Sequence, residues 1–390
     1  MEFLQKDFQV GVVGSGAMGS GIAQVAAVAG HRVVIMDANE TALTKSELSL
    51  KDILQKLEAK GKLKDAAGII ANISFTTEVA ALKDCGLIIE AIVEKLEVKK
   101  SVFAALEAQV SDNCVLASNT SSLSIASIAA ACKRPERAIG IHFFNPAPLM
   151  ALVEIIPAVQ TNAQLPEQIK NLMLQWGKAP VLAKDTPGFI VNRVARPFYG
   201  EALRIMEEGI ASMETIDHAV TTVGGFKMGP FTLMDYIGHD VNYVVTETVF
   251  ESFFYDPRYK PSFSQKRLLE AGWLGRKSGR GFYNYNEESA AKEIVQDEKL
   301  HRQIVERILF MLINEAVDAQ HYNVASAQDI DLAMTKGVNY PKGLLAWCDE
   351  LGADYVLAGL DALYDNYRED RYRASALLRK YGTEKRRFLQ

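Results

Sequence analysis

The chain has 390 residues, a formal net charge of −5, 48% hydrophobic and 23% charged residues, the balance of a globular protein of two or three domains. It carries no global basic field for nucleic acid, and no apolar run is long enough for a membrane span. Four cysteines without short-spaced pairs argue against a disulfide framework or zinc knuckle. The opening MEFLQKDFQV lacks a secretory pattern, so a cytoplasmic protein is expected.

Residues 10–13 form a short apolar run. A glycine-rich turn follows, then an alanine-rich helical pattern with Ile22, Ala23, Ala26 and Ala29 on one face. A second apolar run, 33–36, ends in Asp37, and a lysine-bearing helix is predicted over 40–60. Further strands are predicted at 87–89, 115–117, 139–141 and 152–156, with a helix bearing Val98, Val102, Ala105 and Leu106 between the first two. This alternation predicts a Rossmann-type α/β domain, doubly wound about a mainly parallel sheet, over residues 1–184. At Asp185-Thr186-Pro187-Gly188 the character changes, and Ile190, Val194, Phe198, Ala202 and Ile205 recur at helical spacing. A shift of 114 (331 minus 217) superposes Asp217 on Asp331, Glu201 on Glu315, Ala202 on Ala316 and Ser212 on Ser326. In the same register Ala219 falls on Ala333, Gly229 on Gly343, Asp235 on Asp349 and Gly238 on Gly352. Two repeated all-α domains are therefore expected, 185–285 and 298–390, joined by the polar stretch 286–299. Chance agreement among common residues is the plainer alternative.

Gly14-Ser15-Gly16-Ala17-Met18-Gly19 has glycines where a dinucleotide turn needs them. The first makes the turn, the second lets a pyrophosphate approach the backbone, and the third lets helix and strand close together. Gly14, Gly16, Ala17, Met18 and Gly19 are thus the candidate phosphate cradle, at a helix start with free amides and partial positive charge. Asp37 is placed to accept hydrogen bonds from an adenosine ribose. A carboxylate there repels a 2′-phosphate, so NAD is expected over NADP. The alternative makes Asp37 the N-cap of the next helix.

Hydride leaves an alcohol carbon only as the hydroxyl proton is removed, which calls for a base such as histidine. Of six histidines, His142 follows the run 139–141, at the carboxyl end of a predicted strand, where open parallel sheets bind ligands. Glu154 lies within the apolar run 152–156, where a charge needs a partner. Pairing the two would fix the imidazole tautomer and stabilise the imidazolium. The bland alternatives are a satisfied histidine among aromatics and an edge carboxylate facing water. Ser118-Asn119-Thr120-Ser121-Ser122 brings hydroxyls to another strand end, or caps a helix. The chain has no Gly-x-Ser-x-Gly elbow, and no His, Cys or carboxylate cluster has ligand spacing, so neither a serine hydrolase nor a metal is expected.

The segments VVGSGAMGSGIA, EAIVE, SNTSSL, HFFNP, VEI, DTPGFIVNR, MGPFTLMD and GRKSGRGFY stand in this order over residues 9–284. Together they resemble the NAD-dependent (S)-3-hydroxyacyl-CoA dehydrogenases, 3-hydroxybutyryl-CoA dehydrogenases among them. The duplicated C-terminal unit is similar to the longer members that act on 3-hydroxyadipyl-CoA in phenylacetate degradation. The resemblance implies reversible hydride transfer between the C3 hydroxyl of a short-chain or dicarboxylic (S)-3-hydroxyacyl-CoA and NAD. It makes His142 the base and Glu154 its partner, with Ser121 and Asn192 on the reacting oxygen or the thioester. It places Glu94, Lys99, Asn145 and Lys277 on the cofactor side and Lys60 on a coenzyme A phosphate. From charge alone, Lys99 and Lys277 read as solvated.

Two positions depart from the family pattern. Ala151 stands where the family often has lysine, which bears on chain-length preference, and Glu306 occupies in the second copy the position of Asn192. The second copy is therefore expected to be structural. In shorter relatives the helical domain makes the dimer, so either a homodimer or a monomer with an intrachain pseudo-dimer is expected, without nucleic-acid or membrane partners. Two rivals stay open: a dehydrogenase of a small free hydroxy acid, which would need an arginine clamp near His142, and a non-catalytic dinucleotide-binding protein.

Overall fold

The computed structural model describes residues 8–286 and 294–389, so residues 287–293 of the expected linker lie outside the described residues. The chain divides into two compact units at Phe189/Ile190.

The first unit is built on eight strands: β1 (Gln9–Val13), β2 (Val33–Met36), β3 (Ile73–Thr76), β4 (Cys85–Glu90), β5 (Val115–Ser118), β6 (Ala138–Phe143), β7 (Leu152–Pro157) and β8 (Ala179–Leu182). Their order is β3-β2-β1-β4-β5-β6-β7-β8, parallel throughout except for the antiparallel pair β6–β7. Helices α1 (Ala17–Val28), α2 (Glu40–Ala59), α3 (Ala66–Ala71), α4 (Leu96–Glu107), α5 (Ile125–Ala129) and α6 (Leu165–Gln175) connect them. The expected doubly wound, mainly parallel sheet is present. Its near-continuous apolar strands reflect burial on both faces, with Val10, Val12, Ile35, Leu87, Ile89, Ile139 and Ile141 in the core. The order reverses between β1 and β4, and the crevice at such a switch point is where this architecture binds ligands.

Strands β3 and β8 escaped the sequence reading for local reasons. Each has four residues; β3 is an edge strand with half-buried side chains, and β8 contains Pro180, which weakens a strand signal. The unit boundary also falls five residues later than expected (189 minus 184). The Asp185 carboxylate explains it, accepting from the amides of Ile125 and Ala126 and from the Ser124 hydroxyl, which ties the Pro-Gly turn to the start of α5.

The second unit is helical: α7 (Val191–Val194), α8 (Arg196–Glu207), α9 (Met213–Thr222), α10 (Pro230–Ile237), α11 (His239–Ser252), α12 (Phe263–Glu270), α13 (Glu298–His321), α14 (Ala327–Gly337), α15 (Leu344–Leu351), α16 (Ala353–Tyr367) and α17 (Ala376–Glu384). The register of 114 recurs in hydrogen bonds. Asp217 accepts from the amides of Phe231 and Thr232 at the start of α10, and Asp331 from those of Leu345 and Ala346 at the start of α15. A carboxylate is favourable there against the helix dipole.

The two copies close on each other within one compact unit. Helices α7 and α8 pack on α13, and the contacts are held by reciprocal ion pairs. Arg193 Nε donates to Glu315 at 2.6 Å, and Arg307 Nε, 114 residues on (307 minus 193), donates to Glu201 at 3.0 Å. Tyr259 adds a hydroxyl to Glu315 at 2.6 Å, and Tyr372 adds one to Glu201 at 2.9 Å. Burial opposes ionisation of Glu315, but the guanidiniums of Arg193 and Arg258 hold its carboxyl below the usual range. At Glu201 burial prevails and raises the carboxyl, despite Arg307 and Arg204.

Removing one member of a buried pair strands the other without water or partner. Glu315→Ala is expected to cost the second unit about 3–5 kcal/mol in urea unfolding. Because the folded-state value of Glu315 is lowered, its stabilisation is complete above the ordinary carboxylate range and fades as pH falls through the lowered value. The difference between wild type and variant should therefore narrow in strong acid.

Candidate active site

The antiparallel pairing of β6 and β7 puts His142 directly opposite Glu154. Their side chains meet inside the unit, with His142 Nδ1 2.7 Å from Glu154 Oε2. Facing a carboxylate, Nδ1 is the protonated nitrogen, which leaves Nε2 to accept a proton. Glu154 is fully buried, so it is not an edge carboxylate facing water. The His142 ring is flanked by Phe144 at 4.5 Å and Phe189 at 5.9 Å between centroids. Those walls lower the local dielectric and strengthen the pair.

The turn after β5 is organised by glutamates. Glu94 Oε1 accepts from the Thr120 hydroxyl at 2.5 Å and from the amides of Ser121 at 2.9 Å and Ser122 at 3.2 Å. Burial opposes the Glu94 charge, but Lys99 and these donors hold its carboxyl below the usual range. Lys99 is not solvated, as its charge alone suggested. It is 1% exposed, bonded to Glu90 at 2.6 Å and to Glu94 at 3.2 Å. Glu90 also accepts from Ser118 at 2.7 Å. Asn119 Oδ1 accepts from the Phe143 amide at 2.8 Å, which ties this turn to the end of β6 beside His142. The capping alternative belongs to a later residue, since Ser124 is the N-cap of α5. Glu90 and Asn119 escaped the sequence reading. Glu90 ends an apolar run, the same signal that singled out Glu154.

The glycine turn joins β1 to α1. Gly14 has φ +103°, a left-handed conformation that side chains rarely adopt. A Cβ on Gly19 would lie 1.9 Å from the Gly14 carbonyl oxygen, whereas one on Gly16 would meet nothing within 4 Å. The third glycine thus serves helix–strand closure, and the second keeps an open approach to the backbone that fits a pyrophosphate. Asp37 lies beside the turn and accepts from the Ser15 amide at 2.7 Å and the Ser15 hydroxyl at 2.8 Å. Partial burial works against its charge, but the Asn39 and Ser15 donors prevail and lower its pKa. The N-cap of α2 is Asn39, which accepts from Ala42, so Asp37 is not the cap.

A cavity of about 1070 Å³ lies between α1 and α2, with Gly16, Ala17, Asn145, Lys45, Lys62 and Lys178 among its lining residues. Lys60 ends α2 as its C-cap and does not line the cavity; Lys62, two residues on, does. Lys178 donates to the Ala147 and Met150 carbonyls and shapes the neighbouring loop. Asn192 and Lys277 belong to the second unit, Asn192 on α7 and Lys277 paired with Asp240.

Two family models match: the 3-hydroxyacyl-CoA dehydrogenase NAD binding domain over residues 9–186, and the 3-hydroxyacyl-CoA dehydrogenase C-terminal domain over 188–285 and again over 304–387. The chain is 38% identical to 3-hydroxyadipyl-CoA dehydrogenase of Escherichia coli (strain K12), covering 95% of this chain and 96% of that protein. It is 41% identical to 3-hydroxybutyryl-CoA dehydrogenase of Clostridioides difficile, over 71% of this chain and 99% of that one. The crystal structure of 3-hydroxybutyryl-CoA dehydrogenase from Escherichia coli K12 superposes with a TM-score of 0.93 at 38% identity, covering 98% of this chain and 99% of that chain.

The glycines give a paired expectation. Gly19→Ala should lower the melting temperature, because its methyl group collides with backbone. Gly16→Ala should melt near wild type yet lose NAD affinity in calorimetric titration, because its methyl group points into the approach. Equal behaviour of the two variants would contradict these separate roles. The chain belongs to the 3-hydroxyacyl-CoA dehydrogenase family and is an NAD-dependent oxidoreductase of that kind.

Proposed function

We propose that the chain interconverts an (S)-3-hydroxyacyl-CoA, short-chain or dicarboxylic, and its 3-oxoacyl-CoA. The observation that carries the residue assignment is the buried His142–Glu154 pair, 2.7 Å apart, on the sheet whose switch point holds the dinucleotide turn. His142 Nε2 takes the 3-hydroxyl proton in oxidation and returns it in reduction. Glu154 fixes the tautomer and stabilises the imidazolium that forms. NAD, when bound, supplies the acceptor for the C3 hydride. Gly14, Gly16, Ala17, Met18 and Gly19 cradle its pyrophosphate, Asp37 takes the ribose, and Glu94, Lys99, Asn145 and Lys277 serve the remainder of that site. Lys99 acts by holding Glu94, since its ammonium is turned inward. Ser121 and Asn192 donate to the reacting oxygen or the thioester, where charge develops.

The coenzyme A arm takes the cavity between α1 and α2. Lys45 and Lys62 offer cations to its phosphates, with Lys60 close by in sequence. Four buried, unbridged cysteines favour a reducing compartment such as the cytoplasm. Among the described residues no helix is long and apolar enough to cross a membrane. The α8–α13 contact supports a monomer in which the second copy takes the place of a partner chain.

Acetoacetyl-CoA and NADH, followed by absorbance, test the reaction. His142→Ala should lower turnover by about 10²–10⁴-fold while NAD still binds; near-normal turnover would remove His142 from its role. Light scattering should return a mass near 43.0 kDa, and a mass twice that would count against the intrachain pseudo-dimer.

A further inference from the structure

Arg196 opens α8 with a buried guanidinium that, among the described residues, forms no ion pair with a carboxylate. It is 7% exposed. Its Nη1 reaches Thr246 Oγ1 at 3.0 Å and the Asn242 carbonyl at 3.5 Å, and its charge lies 5.0 Å from the centre of the Tyr199 ring. Its Nε has no hydrogen-bond partner, and neither has the hydroxyl of Tyr340, 6% exposed. Burial makes Arg196 easier to deprotonate, opposed only by Tyr199 and Tyr340. Arg371 likewise has Nε and Nη1 without hydrogen-bond partners, but the other buried arginines of this unit each have a carboxylate nearby. Arg193, Arg307 and Arg371 lie 2.6, 3.0 and 3.5 Å from carboxylates. A desolvated cation without an acid is costly, and an anionic ligand would offset that cost.

The position of Arg196 suggests which guest. It stands four residues beyond Asn192 (196 minus 192), and the intervening Ala195 is right-handed helical, so the backbone turn from α7 to α8 is nearly continuous. Residues so spaced share a face and are separated by roughly 6 Å along the axis. In a six-carbon dicarboxylic acyl chain the distal carboxyl carbon is three bonds beyond C3, a span of roughly 4 Å before its oxygens are added. We propose that Arg196, assisted by Tyr340 and Thr246, binds the distal carboxylate of a dicarboxylic 3-hydroxyacyl-CoA. This rests on the reading of Asn192 as a contact to the reacting end of that substrate. It makes Arg196 a specificity determinant, separate from the chemistry at His142.

The test compares kcat/KM for 3-hydroxyadipyl-CoA with that for 3-hydroxyhexanoyl-CoA, which has the same length and no distal acid. Wild type should favour the diacid. Arg196→Met keeps the stem and removes the charge, and should lower the diacid-to-monoacid ratio on the order of 30-fold. Arg196→Lys should recover part of it. A variant that melts like wild type and keeps the wild-type ratio overturns the proposal. Tyr340→Phe removes a single oxygen, should move the ratio in the same direction, and decides the matter if Arg196→Met does not fold; an unchanged ratio there overturns the proposal too. A further arm adds glutarate. If it raises the melting temperature of wild type but not of Arg196→Met, while the ratio is the same in both, the site takes free anions and the substrate assignment falls. Inactivity of wild type on both thioesters would instead strike the underlying reading of the reaction.

Discussion

Four glutamates, Glu90, Glu154, Glu201 and Glu315, are almost wholly removed from water. The rest of the structure is arranged so that each has a donor. A buried carboxylate without a partner would cost a large share of a domain's stability, so each one dictates where a basic or hydroxyl group must lie. Glu90 draws Lys99 and Ser118 beneath the turn that presents Ser121. Glu154 aligns His142. Glu201 and Glu315 draw arginines across the contact between the two helical copies. The chemistry of the first unit and the cohesion of the second answer the same constraint.

The two uses differ in what the pair is free to do. Arg193 remains charged at any accessible pH, so its bond to Glu315 only holds. A histidine side chain, unlike an arginine, can take up and release a proton, so the same geometry suits the proton transfer proposed for His142. In the proposed reaction the carboxylate of Glu154 sets the tautomer in the resting state and meets a charge during turnover. The antiparallel register of β6 and β7 sets the two residues opposite each other through backbone pairing.

Much of this was legible in the sequence where a residue type contradicts its surroundings. Glu154 among apolar neighbours pointed inward, and the glycine turn followed by Asp37 pointed to a dinucleotide edge. Repeats at a fixed shift pointed to two copies of one helical unit. Long-range partners were not legible. Lys99 looks like any helix-surface lysine until Glu90 and Glu94 are brought over it, and spacing along one helix cannot report a carboxylate on another strand. Asn119 is similarly silent, because its value lies in meeting Phe143 across the sheet. The Pro-Gly turn after Asp185 marks the change of character in the sequence, and the Asp185 hydrogen bonds tie that turn to the first unit. Strand β3 is interrupted by the polar Ser74 and β8 by Pro180, so neither stands out as an apolar run. Arg196 was invisible for the opposite reason: nothing in the string of residues says that a cation will be left without an acid.

Covalent joining of the two helical copies has an evolutionary consequence. When one surface pairs with an identical copy on a second chain, each substitution appears on both sides of the contact and must suit both. Within one chain the two sides mutate independently. The position that is Asn192 in the first copy can become Glu306 in the second without altering the first. Tyr340, the counterpart of Phe226 (340 minus 226 is 114), can bring a hydroxyl to only one of two formerly equivalent places. The tether also keeps the copies at a high effective concentration, so their union does not weaken as the protein is diluted. Duplication followed by fusion thereby turns a symmetric support into an asymmetric one, with one half free to acquire residues that its twin could never have carried.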